Sequence, residues 1–297
     1  MGFFDWLKRK KESKPKKFKV NKKVKLGLAL GGGGARGFAH LGAIKAFEEN
    51  GIKFDYIAGT SVGSLIGALY SSGLTSSELI EISKSITKKD IKKNKIAFMP
   101  SSTIGLQEIV TKILGDKSFD DLKIPFCAVS VDLKSGKEID IKKGNLPKAI
   151  AGSCAVPGVF NFVEYGDYRL VDGGLQNTIP TDVVKEMGAD FVVSVDCNPN
   201  RGYGTDSTKY FDVLLASMRI LMKTNAQKGR FLSDVLIEPD TKRFKSTKLE
   251  GADEMIEEGY RATLKQMDNI KELLTRKVKK VKFTIKNNKR VKVTKRD

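Results

Sequence analysis

The residues best suited to chemistry are Gly59-Thr60-Ser61-Val62-Gly63. They fill the pattern G-x-S-x-G between a strand-like run, FDYIAG, and an apolar run rich in small residues, SLIGALYSSG. A serine in such a strand-to-helix turn sits on a sharp corner. Its neighbours must be tiny, and its Oγ projects above the sheet at the positive end of the following helix. This is a nucleophile for acyl transfer, provided that another group takes its proton.

The order Ser, Asp/Glu, His of the α/β-hydrolases is impossible here, because the only histidine, His40, precedes Ser61. His40 lies three residues after Gly37 in a predicted helix, where packing or capping is its expected role. A triad in another chain order stays open. The alternative is a carboxylate acting directly, and Asp172 is the best placed. It ends the run Tyr168-Arg169-Leu170-Val171 and precedes Gly173 and Gly174. Asp-Gly-Gly alone is a common turn, so it gains meaning only as one member of a set. Burial would raise the proton affinity of such a carboxylate toward a useful range.

A third element comes earlier. VKLGLAL at 24–30 reads as a buried strand, followed by Gly31-Gly32-Gly33-Gly34-Ala35-Arg36-Gly37 and a helical run that stops at Asn50-Gly51. Strand, glycine loop and helix together aim backbone N–H groups at negative charge. The loop is then either a pyrophosphate cradle or an oxyanion hole. The dinucleotide reading wants an acid at the end of the second strand, whereas Asp55 stands at its start. A P-loop is excluded because no Gly-Lys-Ser/Thr follows.

These blocks resemble the patatin-like phospholipase family. GGGGARG resembles its oxyanion loop, GTSVG its nucleophile elbow and Asp172-Gly173-Gly174 its catalytic motif. The segment Ala151-Gly152-Ser153-Cys154-Ala155-Val156-Pro157-Gly158-Val159-Phe160 is similar to a further family block. The resemblance runs from about residue 24 to about residue 275. It implies an α/β fold, a three-layer α/β/α sandwich around a mostly parallel sheet. It also implies a Ser–Asp dyad, no metal or other cofactor, and hydrolysis of acyl esters such as phospholipids, lysophospholipids or other lipids. By the same resemblance Ser61 is the nucleophile and Asp172 the base. Gly32, Gly33, Gly34 and Arg36 surround the oxyanion, Gly37 closes that block, and Gly59, Gly63, Gly173 and Gly174 shape the two catalytic turns. Arg36 either binds substrate phosphate or braces the loop.

The elements that must position these residues read as further buried strands at 125–133 and 189–195, with a helix from Pro180 to Met187 between two strands. Thr75-Ser76-Ser77-Glu78 is a capping box that starts a helix near Ser76. Residues 208–228 and 250–277 read as long amphipathic helices. Residues 88–104 read as a connecting loop or a lid at a lipid interface.

Net charge is +19, and its placement matters more than its size. Residues 1–25 carry +9 and residues 276–297 carry +10, so the body between them is neutral. Three segments follow: a basic amphipathic arm at 1–23, a hydrolase domain at 24–275 and a basic tail at 276–297. In the arm, Phe3, Phe4, Trp6 and Leu7 share one helical face beside a run of lysines, as in an interfacial tether. The tail, VKFTIK-NNK-RVKV, is expected to form a hairpin with a three-residue loop, pairing Ile285 with Val291 and Phe283 with Val293 on one apolar face. The expected partners are an acyl-ester lipid and an anionic membrane surface met by the basic ends. Nucleic acid is disfavoured, because the body is neutral. Three cysteines without metal or disulfide spacing, no secretory signal and no spanning run point to a cytoplasmic protein peripheral to the inner face of a membrane. The competing reading is a membrane- or polyanion-binding adaptor with a vestigial site. Oligomeric state is open.

Overall fold

The first predicted strand forms as β1, Leu26–Leu30, and is buried along its whole length. Leu26, Leu28 and Leu30 enter one apolar core and Ala29 enters another. A strand covered on both faces needs apolar residues at every position, which is why this run is continuous rather than alternating. The computed structural model describes residues 24–85, 101–198, 204–246 and 249–276, with the backbone of 282–286 and 289–293. The N-terminal arm and residues 88–100 of the loop-or-lid segment lie outside the described residues.

Around β1 stand β2 (Tyr56–Thr60), β3 (Phe126–Asp132), β4 (Glu138–Ile141), β5 (Val163–Tyr165), β6 (Tyr168–Asp172), β7 (Phe191–Val195) and β8 (Val235–Ile237). These eight strands form one sheet with the order β5-β6-β3-β2-β1-β7-β8, and β4 also pairs with β3. Strands β1, β2, β3, β7 and β8 run parallel, and β4 and β6 lie antiparallel to β3. The helices are α1 (Phe38–Glu49), α2 (Val62–Ser71), α3 (Ser76–Ser85), α4 (Ile104–Leu114), α5 (Leu146–Ser153), α6 (Thr181–Glu186), α7 (Tyr210–Leu232), α8 (Ala252–Lys265) and α9 (Met267–Thr275). Phe47 of α1, Ile66 of α2, Val110 of α4, Ile150 of α5 and Ile270 of α9 fill the larger core on one face of the sheet. Val183 and Val184 of α6 and Ala226 of α7 fill the smaller core on the other face. The result is the α/β/α sandwich. Among the described residues no helix is long and apolar enough to cross a membrane.

The pairing around β3 places the site. Val129 pairs with both Thr60 of β2 and Asp140 of β4, while Ser130 pairs with both Asp172 of β6 and Ile139 of β4. A strand has two edges, so β4 takes one and β2 and β6 share the other, end to end. The C-terminal end of β2 therefore meets the C-terminal end of β6 across adjacent residues of β3. Ser61 follows the first of these ends and Asp172 is the second.

The predicted capping box forms: Glu78 Oε2 accepts from Thr75 N at 2.7 Å and from its hydroxyl at 2.8 Å. Two expectations need correction. The helix expected at 250–277 is broken at Gln266 into α8 and α9. Buried Met255, Gly259, Thr263, Met267, Ile270 and Leu274 continue one apolar rhythm through the break, so spacing alone carried no sign of it. The hairpin forms from Lys282–Lys286 and Lys289–Val293, but Lys289 pairs with Lys286. That is a two-residue connection in place of three. It sets Ile285 against Arg290 and Phe283 against Lys292, so the register expected for a single apolar face is not formed.

Candidate active site

Ser61 is the only non-glycine residue with positive φ among the described residues, at φ 55° and ψ −127°. For a residue with a Cβ this conformation is strained, and it persists only where the surroundings impose it. Here they do. The Ser61 carbonyl accepts from Ser64 N at 2.8 Å and from Ser64 Oγ at 2.7 Å. Its N–H donates to Ser153 Oγ at 2.9 Å, and Ser153 Oγ donates to Val129 O at 2.5 Å. The elbow is thus tied through one hydroxyl to the β3 residue at which β2 ends, next to the one at which β6 ends.

Asp172 is 1% exposed. Its Oδ1 accepts from Gly174 N at 2.8 Å, the turn that Asp-Gly-Gly permits, and its own N–H donates to Ala155 O at 3.0 Å. Burial pushes the carboxyl up to about 6, with the nearby Ser61 hydroxyl and the Gly174 N–H pulling it back part of the way. The approach of Ser61 stops short of a directed hydrogen bond, because Oδ2 is buried with no partner. A carboxylate this dry, with one oxygen uncommitted beside a serine hydroxyl, is poised to take a proton near neutral pH. Cys154 lies against the same pair, and burial together with the charge of Asp172 raises its thiol to about 12, so it stays neutral.

The glycine loop lies beside the elbow: a Cβ on Gly32 would stand 3.5 Å from the Ser61 Cβ, and one on Gly37 would strike the Val62 side chain at 2.4 Å. Most loop amides are already committed. Gly31 N donates to Val195 O at 3.0 Å, Gly32 N to Thr178 O at 3.0 Å, Ala35 N to Ser246 O at 2.8 Å and Arg36 N to Gly33 O at 3.3 Å. Among the described residues only the Gly33 and Gly34 N–H groups in 31–36 are left without a hydrogen bond. The Arg36 side chain, 1% exposed, is a brace. Its Nε and Nη2 donate to Phe244 O at 2.9 and 2.8 Å, and its Nη1 donates to Asn198 Oδ1 at 2.5 Å. Asn198 in turn donates to Gly32 O at 2.7 Å. Of the two readings for Arg36, the geometry supports bracing.

His40 is fully buried, with Nε2 2.8 Å from Gly31 O. A carbonyl only accepts, so Nε2 carries the proton. Burial lowers the ring to about 4, which keeps it neutral as a support for the loop.

Sequence reasoning gave no role to Ser153, although it lies in the similar block 151–160. Ser153→Ala leaves both Ser61 N–H and Val129 O without this partner in a buried site. The expected cost is about 1–3 kcal/mol of stability. Fluorophosphonate labelling of Ser61 is expected to slow well below the melting temperature, which a loss of stability alone does not produce. Labelling at the wild-type rate would show that the elbow holds without this tie.

A strained serine, a buried aspartate across one strand edge and a glycine loop on an α/β/α sandwich together have the form of a serine hydrolase site with no histidine in it. The family model for patatin-like phospholipase matches residues 28–185, more than half of the sequence, and the chain belongs to that family. An uncharacterised NTE family protein of Mycobacterium bovis is 34% identical over 178 residues, 59% of this chain and 49% of its own length. Patatin-like phospholipase domain-containing protein 6 of Homo sapiens is 32% identical over 198 residues, covering 64% of this chain and 14% of that protein. The chain spans about half the length of the first of these relatives and less of the second. The crystal structure of VipD from Legionella pneumophila shares the fold, with a TM-score of 0.57 at 13% identity over 84% of this chain and 67% of VipD.

Proposed function

We propose that the chain is a serine lipid acyl hydrolase. It cleaves the acyl esters of phospholipids, lysophospholipids or similar lipids at a membrane surface, through a Ser61–Asp172 dyad. The observation that carries this reading is the meeting of a strained serine with a dry, half-satisfied carboxylate where β2 and β6 share the edge of β3. Ionised Asp172 takes the Ser61 proton as Oγ attacks the ester carbonyl carbon. The Gly33 and Gly34 N–H groups hold the oxyanion, near the N-terminus that leads into α1. Asp172 returns its proton to the leaving alcohol, and the acyl-serine is then cleared by a water that Asp172 deprotonates.

Burial has moved Asp172 to about 6, and no histidine shares its task. The expected pH profile of kcat/KM is therefore a single ascending limb, falling about tenfold per unit below the carboxyl pKa and flat above about pH 7. A bell with a second ionisation near neutrality would point to a different base. The defining experiment is hydrolysis of a short-chain ester and of a phospholipid by wild type, Ser61→Ala and Asp172→Asn, with fluorophosphonate labelling. Loss of turnover in both variants, with label on wild type and none on Ser61→Ala, supports the dyad. An unlabelled, inactive wild type, even with anionic vesicles present, would put the adaptor reading first.

A further inference from the structure

Asn177 and Thr178 lie between the Asp172 turn and α6, and their hydrogen bonds reach all three segments of the site. Asn177 N–H donates to Gly173 O at 2.8 Å and so closes the Asp-Gly-Gly turn. Asn177 O accepts from Thr60 Oγ1 at 2.8 Å, and Thr60 is the residue before Ser61. Thr178 O accepts from Gly32 N at 3.0 Å, in the glycine loop. Asn177 and Thr60 are fully buried, so these bonds are made in a dry interior where their geometry is held firmly.

The Asn177 side chain anchors this stretch of backbone. Its Nδ2 donates to Glu138 Oε1 at 2.9 Å and to Asp182 Oδ1 at 2.8 Å. Thr60 of β2 pairs with Val129 on one edge of β3, and Glu138 of β4 pairs with Val131 on the other. Val129 and Val131 are two residues apart on one strand and point to the same side. Asn177 therefore spans β3, holding the end of β2 by its carbonyl and β4 by its amide. Asp182, on α6, is itself fixed. Against its burial, the Lys228 ammonium and the Asn177 amide keep its carboxyl below the ordinary value, so it meets the amide as an anion.

Two carboxylate acceptors admit only the NH₂ end of the amide, and Asn177 Oδ1 is left buried with no partner. One amide thus forgoes part of its own hydrogen bonding to fix two separate elements at the point where the three site segments meet.

We infer that Asn177 is a positioning residue for the dyad. Through Gly173 it fixes the turn that carries Asp172. Through Thr60 it fixes the strand end that carries Ser61. The spacing of base and nucleophile follows from both. Its own hydrogen bonds go to neither Ser61 nor Asp172, so it acts through their neighbours. The inference rests on the Ser61–Asp172 reading.

The test is a double-mutant cycle read by the rate of fluorophosphonate labelling, well below the melting temperature of each variant. Asn177→Ala is expected to slow labelling about tenfold or more, since a misplacement of about 1 Å can cost about 10²-fold. In the Asp172→Asn background no base is left to misplace. There the same substitution is expected to change the slow residual labelling less than about twofold. Thr60→Val removes the donor to Asn177 O and is expected to show the same pattern, so the inference is decided even where Asn177→Ala does not fold. Thr60→Ser keeps the hydroxyl and is expected to label close to the wild-type rate. Equal slowing in both backgrounds overturns the inference and leaves the dyad intact, because the damage then does not pass through Asp172. Wild-type labelling rates in both Asn177→Ala and Thr60→Val overturn it as well. Labelling of Asp172→Asn itself at the wild-type rate overturns the dyad reading, and the inference with it.

Discussion

Asp172→Asn is expected to abolish most turnover and to make the protein more stable. The loss follows from removing the proposed base, a role worth about 10²–10⁴ in rate. The gain follows from the same burial that raises the carboxyl of Asp172. The carboxyl moves from 3.8 to about 6 on folding, so the folded chain still holds a proton over a range in which the unfolded chain has released it. Wild-type stability therefore falls as pH rises through that window and stays lower above it. At about 1.36 kcal/mol per unit, the full penalty is at most about 3 kcal/mol. Asparagine carries no such charge and can still accept from Gly174 N–H. Melting temperatures of the two proteins should converge near pH 4 and separate above pH 6, as the window from 3.8 to about 6 requires, with the inactive variant higher. A difference that does not change with pH would mean that the charge of Asp172 is compensated by something other than its neighbours Ser61 and Gly174.

This coupling shows why some of the site was legible in sequence and some was not. Gly59, Ser61, Gly63 and Asp172-Gly173-Gly174 are local constraints. A turn that tight admits few residue types, so the types announce the turn. The buried strands were legible for the same kind of reason, since a strand covered on both faces shows an unbroken apolar run. What brings Ser61 to Asp172 is not local. It is the sharing of one β3 edge by β2 and β6, a matter of register between residues more than a hundred positions apart. The roles of Ser153 and Asn198 depend on the same long-range placement, as does the burial of Arg36, whose charge suggested a phosphate ligand and whose partners are carbonyl oxygens. The hairpin register turned on a single residue of loop length, which the strand sequences alone did not determine.

Gly63→Ala tests how tightly the two loops must fit. A Cβ at Gly63 would stand 2.1 Å from Leu30 O, 2.6 Å from Leu30 C and 2.8 Å from Gly31 O. All three are backbone atoms, so no side chain can rotate away. The contact lies where the start of α2 presses on the end of β1, just before the glycine loop begins. To admit one methyl, either the elbow helix must back away from β1 or the glycine loop must shift from the elbow. The first route opens the core around Leu30 and Ile66, and overpacking of this kind costs about 1–3 kcal/mol, or more where only backbone can yield. The second route moves the Gly33 and Gly34 N–H groups relative to Ser61, and a misplacement of about 1 Å can cost a factor of about 10² in rate. The expected result is a protein several degrees less stable whose folded fraction is labelled by fluorophosphonate far more slowly than wild type. Gly204→Ala, where an added Cβ meets nothing within 4 Å, should change neither quantity and serves as the control. If Gly63→Ala lowered stability while the folded protein kept its full labelling rate, α2 alone would have yielded, and the glycine loop would be positioned by its Arg36–Asn198 brace and not by contact with the elbow.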